Sequence, residues 1–120
     1  MDACDALIVG GGPAGSTCAW KLRRAGLDVV VVDRAAFPRD KVCAGWITPQ
    51  VIDDLQLDAA GYRVGRTFQP ITGFRVGLIE GSDAIEARYA RPVSYGIRRC
   101  EFDAYLLERA ESASSAKMAR

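Results

Sequence analysis

The sequence lacks histidine and asparagine entirely among its 120 residues. Without histidine, no imidazole can serve as a general base or proton shuttle, which excludes the Ser/His/Asp and Cys/His nucleophile systems. The commonest nitrogen ligand of zinc is missing as well, so we expect no metal site. Without asparagine there is no acceptor for N-glycosylation. The chemistry of this chain must therefore come from elsewhere.

Strong charge and long apolar runs are also absent. Sixteen Lys and Arg oppose 15 Asp and Glu, which leaves a net charge of +1. A chain so close to neutral has no long-range field for a polyanion, so we expect no nucleic-acid partner and only a local anion site.

No apolar run approaches the about 18 residues of a membrane span, and the N-terminus is acidic where an export signal is basic. With four cysteines and no C-x-x-C spacing, we expect a cytoplasmic location and reduced thiols.

The first 34 residues have the pattern of a strand, a helix and a parallel strand. Ala6–Val9 is a short apolar run that ends at glycines, as expected for a strand buried on both faces. A helix follows, with Pro13 at its first position and Gly26 just past its end. The four β-branched residues Val29–Val32 predict a second buried strand. Together these elements predict a Rossmann-like βαβ unit.

A glycine-rich motif lies inside this unit. Residues 10–15 read G-G-G-P-A-G and match G-x-G-x-x-G. In that pattern Gly10 permits the tight turn, Gly12 lets the backbone approach a pyrophosphate, and Gly15 allows close packing of helix and strand. Asp33, at the end of the second strand, is placed to accept hydrogen bonds from a ribose. The motif predicts an adenine-dinucleotide site, and both FAD and NAD are compatible with it.

Two further stretches resemble one family of flavoproteins. Residues 37–45, F-P-R-D-K-V-C-A-G, resemble the P-R-x-K-x-C-G loop of the geranylgeranyl reductase family, within the p-hydroxybenzoate hydroxylase-like flavoproteins. Residues 99–106, R-C-E-F-D-A-Y-L, resemble the R-x-x-F-D-x-x-L stretch that opens a helix in the same family. Ala44 stands where those reductases usually have glycine. The three motifs span nearly the whole chain, and the resemblance favours FAD over NAD.

The resemblance implies a set of cofactor-binding residues but no catalytic side chain, because the flavin carries the chemistry. The FAD pyrophosphate would contact Gly10, Gly12, Pro13, Ala14 and Gly15, and the adenosine end would contact Asp33 and Arg34. Arg39, Lys41, Cys43, Ala44 and Gly45 would run along the flavin half, with Arg99 reaching back toward the cofactor. We expect Cys43 to pack against the flavin, and the other three cysteines, Cys4, Cys18 and Cys100, to be structural.

The rest of the chain predicts smaller elements. Thr48 caps a helix that begins at Pro49 and ends near Gly61, a hairpin pairs residues 71–79 with 84–89, and a last amphipathic helix precedes a frayed tail. We thus divide the chain into a βαβ unit (1–34), a flavin-contacting loop and helix (35–60), a hairpin layer (61–100), a helix (101–113) and a tail (114–120). The fold class is α/β, with an antiparallel hairpin inserted into a Rossmann-like unit.

The expected function follows from the resemblance. The third parallel strand and the later Gly-Asp motif of the family are absent, so we expect an N-terminal portion of an FAD-binding domain, with an open sheet edge that favours self-association. The resemblance implies flavin-mediated hydride or electron transfer to an apolar or aromatic substrate, with NAD(P)H as the candidate reductant. Two alternatives stay open: a nucleotide-binding remnant or interaction module without turnover, and an NAD-binding dehydrogenase domain.

Overall fold

The computed structural model describes residues 3–115, and the chain divides into two compact units. The first unit consists of residues 1–42 and 99–120, and the second of residues 43–98. The elements, in chain order, are β1 (Ala6–Val9), α1 (Pro13–Arg24), β2 (Val29–Val32), β3 (Trp46–Ile47), α2 (Pro49–Asp54), α3 (Ala59–Tyr62), β4 (Gln69–Ile71), β5 (Gly73–Gly77), β6 (Ala84–Arg88), β7 (Ser94–Gly96) and α4 (Arg99–Ser115). The predicted α/β class is confirmed.

The first unit contains the predicted βαβ arrangement. β1 and β2 are parallel, with Ala6 opposite Val29 and Val9 opposite Val32. One face of this pair carries Ala6, Ile8, Val29 and Val31, which pack with the buried Ala19 of α1 and Ala110 of α4. Small residues on both helices let their axes approach the strands closely. The bounds of both predicted strands are confirmed, and α1 begins at Pro13 as predicted and ends at Arg24.

Arg23 ties the helices of this unit to the sheet. Its guanidinium donates hydrogen bonds to the carbonyl oxygen of Ala110 in α4 (3.0 Å) and to that of Val29 in β2 (2.6 Å). These bonds connect α1 to the carboxyl-terminal half of α4 and to the start of β2. Arg23, in the last turn of α1, therefore cross-links three elements.

The prediction that both strands are buried on both faces is wrong. Leu7 and Val9 are 62% and 82% exposed, and Val30 and Val32 are 42% and 43% exposed. These four side chains point to the face opposite Ala19, and within residues 3–115 the helices α1 and α4 cover only the other face. A continuous apolar run alone cannot show how many layers cover a sheet.

The second unit contains two small antiparallel sheets. β5 pairs with β6, which confirms the predicted hairpin, but its first strand begins at Gly73 because Ile71 pairs with Ser94 in the other sheet. That sheet has the order β3-β7-β4, and the short strands β3 and β7 were not predicted. Phe68 stacks on Tyr95 with ring centroids 4.4 Å apart. The fully buried Tyr62 meets Phe68 edge to face, so these aromatic residues form part of the core of this unit.

The predicted helix from Pro49 to Gly61 is two helices. α2 ends at Asp54, and Gln56 then adopts a left-handed conformation with φ of +49°. Asp58 starts α3, where its Oδ1 accepts a hydrogen bond from the Gly61 amide at 3.0 Å. Thr48 precedes α2 as predicted, but its side chain makes no capping hydrogen bond. An aspartate cap within a predicted helix is thus the signal that was missed.

The last helix is longer than predicted. α4 begins at Arg99 and continues to Ser115, so the tail predicted for residues 114–120 is helical at its first two positions. Residues 116–120 lie outside the described part of the chain. Across residues 3–115, none of the helices has both the length and the apolar character that crossing a bilayer requires.

Candidate functional site: the loop between β1 and α1

The loop after β1 has the geometry that its glycines predict. Gly10 has φ of +104°, a left-handed conformation that favours glycine, and its amide continues the ladder by donating to the carbonyl oxygen of Val32 at 2.7 Å. A Cβ on Gly15 would overlap the carbonyl oxygen of Gly10 and would lie 3.2 Å from a methyl carbon of Ile8. The predicted roles of these two glycines in the turn and in helix packing are confirmed.

The N-terminus of α1 is open toward an anion. Gly12 is the N-cap residue and Pro13 occupies the first turn, which contains no acidic residue. The amide and the Oγ of the buried Ser16 both donate to the carbonyl oxygen of Gly12, at 2.9 and 2.8 Å. First-turn amides of a helix have no carbonyl partner within it, so the amides of Ala14 and Gly15 can bind a negatively charged group.

Asp33 organises this loop through its backbone contacts. Its Oδ2 accepts a hydrogen bond from the Gly11 amide at 2.8 Å, and its Oδ1 accepts one from the Ala35 amide at 2.9 Å. The bond from Gly11, followed by that from Ala35, lowers the pKa of the Asp33 carboxyl below its ordinary value of 3.8. Each carboxylate oxygen retains a second lone pair, so the predicted ribose contact stays compatible with this geometry.

Arg39 places a guanidinium beside the same loop. Its Nη1 lies 2.8 Å from Oδ2 of Asp103, and its side chain is 18% exposed. The guanidinium carbon lies 4.6 Å from the centroid of the Phe37 ring. Its Nη2 would lie 3.7 Å from a Cβ built on Gly12. Arg39 therefore places its positive charge beside Gly12, which has no side chain to cover its backbone.

The carboxylate of Asp103 joins two arginines. The side chain of Asp103 is fully buried, and its two oxygens also accept hydrogen bonds from Nε and Nη2 of Arg99, at 2.8 and 2.9 Å. Two guanidinium groups thus share one carboxylate, which leaves the cluster with a net positive charge. Asp103 was not among the predicted site residues. The Arg99-to-Asp103 spacing of four positions, which pairs side chains on a helix, could have identified it.

An open cleft of about 690 Å³ lies along the ends of the two parallel strands. Five of the predicted residues line it, namely Gly10, Asp33, Arg34, Arg39 and Lys41. Ligands of open parallel sheets bind at the carboxyl ends of the strands. The cleft thus brings together three of the seven residues predicted for the pyrophosphate and adenosine, and two of those predicted for the flavin half.

The predicted flavin-side residues Cys43, Ala44 and Gly45 belong to the second unit. Cys43 and Ala44 are exposed, whereas Gly45 has φ of +79° and accepts a hydrogen bond from the Ile97 amide at 2.7 Å. The prediction that Cys4 and Cys18 serve in packing is wrong, because both are exposed, and Cys100 is half-buried. No group of three metal-ligating side chains that could hold an ion occurs within residues 3–115.

The residues of the loop fit the diphosphate of an adenine dinucleotide. The fit rests on the open amides of α1, on the bare backbone of Gly12 and on the guanidinium of Arg39 beside it. The amides and the guanidinium offer hydrogen-bond donors and positive charge to phosphate oxygens, and the missing side chain of Gly12 leaves space beside them. Within the described residues of this loop, no nucleophile is paired with a base.

Comparison with known proteins agrees with this geometry. Residues 5–115 match the protein family described as FAD dependent oxidoreductase (DAO). The chain is 56% identical over 52 residues to a menaquinone reductase of Mycolicibacterium smegmatis, which covers 43% of this chain and 13% of that protein. It is 55% identical over 53 residues to a geranylgeranyl diphosphate reductase of Rhodobacter capsulatus, which covers 44% of this chain and 13% of that protein.

A solved structure shares the fold. A geranylgeranyl bacteriochlorophyll reductase-like protein from Thermoplasma acidophilum superposes with a TM-score of 0.77 at 24% identity, over 92% of this chain and 28% of that one. The chain thus spans a small part of the length of these proteins, 13% of the two reductases and 28% of the solved structure.

Proposed function

Because the chain belongs to the FAD dependent oxidoreductase family, we propose that its first unit binds the ADP half of FAD on the loop between β1 and α1. The observation that carries this proposal is the convergence of the α1 N-terminus and the Arg39 guanidinium at Gly12. The amides of Ala14 and Gly15 would donate to one side of the diphosphate and Arg39 to another.

The adenosine would lie along the cleft beside Asp33. Its ribose hydroxyls would donate to the lone pairs that Gly11 and Ala35 leave on the carboxylate, and Arg34 would flank the same end. A negatively charged Asp33 would repel a phosphate on the ribose, so the site favours FAD over nucleotides with a 2′-phosphate. Lys41, Cys43, Ala44 and Gly45 remain proposed contacts of the flavin half.

When bound, the flavin supplies the hydride or electron transfer. For the substrate we propose an apolar polyprenyl compound, because the two relatives with the highest local identity described above are named for menaquinone and geranylgeranyl diphosphate, which both carry such chains. Incubation of the FAD-loaded protein with NAD(P)H and menaquinone tests this proposal. Fragmentation mass spectrometry should show a product with two added hydrogen atoms in the polyprenyl chain, not in the quinone ring, with oxidation of one NAD(P)H per saturated carbon–carbon double bond. An unchanged substrate mass would remove this substrate class.

Titration of the purified chain with FAD tests cofactor binding directly. We expect a shifted visible absorption band and weaker binding by the Arg39→Ala variant, by about tenfold, the effect of losing one charged hydrogen bond. Arg75→Ala removes the same charge from the exposed strand β5 and serves as the matched control, with unchanged affinity expected. Tighter binding of NAD than of FAD would favour the dehydrogenase alternative. Failure to bind either dinucleotide would favour an interaction module.

Two finer proposals concern partners and location. We propose that the protein is a cytoplasmic flavoprotein and that NAD(P)H reduces it. We also propose that it self-associates through the open edges of the β1–β2 pair, since unpaired strand edges recruit other strands. Light scattering over a range of protein concentrations tests the association. A mass equal to one chain at all concentrations would contradict it.

A further inference from the structure

Asp103 is a fully buried carboxylate that links two distant parts of the chain. Arg39 precedes it by 64 positions, whereas Arg99 lies one helical turn away in α4. Nη1 of Arg39 and Nε of Arg99 each donate a hydrogen bond to Asp103 at 2.8 Å. A buried carboxylate that is paired on both oxygens fixes the orientation of its partners.

Arg39 is held in one orientation by this contact. Nη1 binds Asp103, and the plane of the guanidinium lies near the Phe37 ring. Nη2 faces Gly12 and makes no hydrogen bond within residues 3–115. An unrestrained arginine loses much rotamer freedom when it binds a ligand, so an arginine held beforehand binds more tightly.

We propose that Asp103 is a positioning residue that holds Arg39 in place for the cofactor diphosphate, an inference that rests on the proposed function of this loop. Arg99 completes this cluster, because it supplies the second positive charge that offsets the carboxylate. Without Arg99, the negative charge of Asp103 would oppose a nearby phosphate. With it, Asp103 orients Arg39 while the cluster stays positive.

A purely electrostatic role of Asp103 and a positioning role predict opposite effects of removing its carboxylate. Asp103→Asn removes a negative charge close to the diphosphate site, and on electrostatic grounds alone it should strengthen the binding of an anion. If Asp103 acts by orienting Arg39, the same change frees the guanidinium and weakens binding. The direction of the change therefore distinguishes the two roles.

The experiment compares ADP with adenosine by isothermal titration calorimetry of the full chain. We expect Asp103→Asn to weaken ADP binding by about tenfold, the loss of one charged hydrogen bond, and to leave adenosine binding unchanged. In an Arg39→Ala background, Asp103→Asn should cause no further loss of ADP affinity. Asp53→Asn, which removes an exposed carboxylate from α2, is the matched control and should change neither affinity.

Asp103→Glu covers the case in which the asparagine variant does not fold. It keeps the buried charge but shifts the carboxylate by one methylene, so the selective loss of ADP affinity should persist. Unchanged or tighter ADP binding by the folded variant would overturn the inference, as would equal losses for ADP and adenosine, which indicate a merely structural role. If the unaltered chain does not bind ADP at all, the proposed function fails, and this inference with it.

Discussion

The carbonyl oxygen of Gly10 occupies the space that a side chain on Gly15 would need. Gly15 of α1 is therefore packed directly on the backbone of the turn. Gly12, in contrast, has extended backbone angles, and a Cβ there would meet only Nη2 of Arg39, at 3.7 Å. Two glycines of one motif thus serve different purposes, one in the fold and one at the surface that we assign to the ligand.

Paired alanine variants separate these purposes. Gly15→Ala should lower the free energy of unfolding by about 3 kcal/mol, because the helix must move away from the strand. Gly12→Ala should cost less than about 1 kcal/mol at this N-cap position but weaken ADP binding by about tenfold or more, since the methyl group takes ligand space. Urea unfolding and calorimetric titration measure the two quantities. Equal ADP affinity of Gly12→Ala and the unaltered chain would remove Gly12 from the site.

The Asp33 carboxyl should titrate below pH 3.8. Since the Gly11 and Ala35 bonds lower the pKa of this group in the folded state, their contribution to stability is complete above 3.8 and is lost as the pH falls through the lower folded value. Amide NMR shifts of Gly11 and Ala35, followed against pH, should share this midpoint. Asp33→Asn should abolish both transitions. A midpoint at or above 3.8 would contradict the hydrogen bonds described here.

Arg23 should contribute measurably to the stability of the first unit. Arg23→Ala removes its two charged hydrogen bonds to the carbonyl oxygens of Ala110 and Val29 and should lower the free energy of unfolding by about 2–3 kcal/mol. Lys21→Ala, on the exposed side of the same helix, should change it by less than about 0.5 kcal/mol. Urea denaturation compares the variants. Equal midpoints would show that Arg23 does not link α1, α4 and β2 in solution.

Bound FAD should protect Cys43 if this thiol contacts the flavin. Cys18 and Cys43 are both exposed, so iodoacetamide should modify both readily in the unliganded chain, and the half-buried Cys100 more slowly. Saturating FAD should slow the modification of Cys43 and leave Cys18 unaffected. Peptide mass spectrometry resolves the individual thiols. The same rate at Cys43 with and without FAD would exclude it from the cofactor site.

Local patterns identified the βαβ unit because its signals lie within a few residues of each other. The valines of β2, the proline at the start of α1 and the glycine after its end each act through their own backbone. The loop geometry at Gly10 and Gly15 follows from the same kind of local signal. Such features need no knowledge of the rest of the chain.

Other features depend on partners far away in the sequence, and local patterns did not reveal them. Asp103 is buried and bonded to Arg39, which lies 64 positions earlier. β7 contains only Ser94–Gly96 and forms because β3 and β4 flank it on both sides. The exposure of Leu7 and Val9 depends on which layers cover β1, and residue type alone cannot show this.

The division of the first unit between residues 1–42 and 99–120 bears on how a ribosome makes this protein. β1, α1 and β2 leave the ribosome early, yet Ala19 and Val29 share their buried cluster with Ala110, which is synthesised much later. Until then, the apolar faces of this nascent segment stay open to water and to other chains. The entropy cost of closing the intervening 43–98 segment as a loop grows only slowly with its length. The time for which these faces stay exposed is therefore set by how fast the ribosome synthesises that segment. A chaperone that binds apolar segments should therefore bind the nascent chain most strongly between the synthesis of β2 and that of α4.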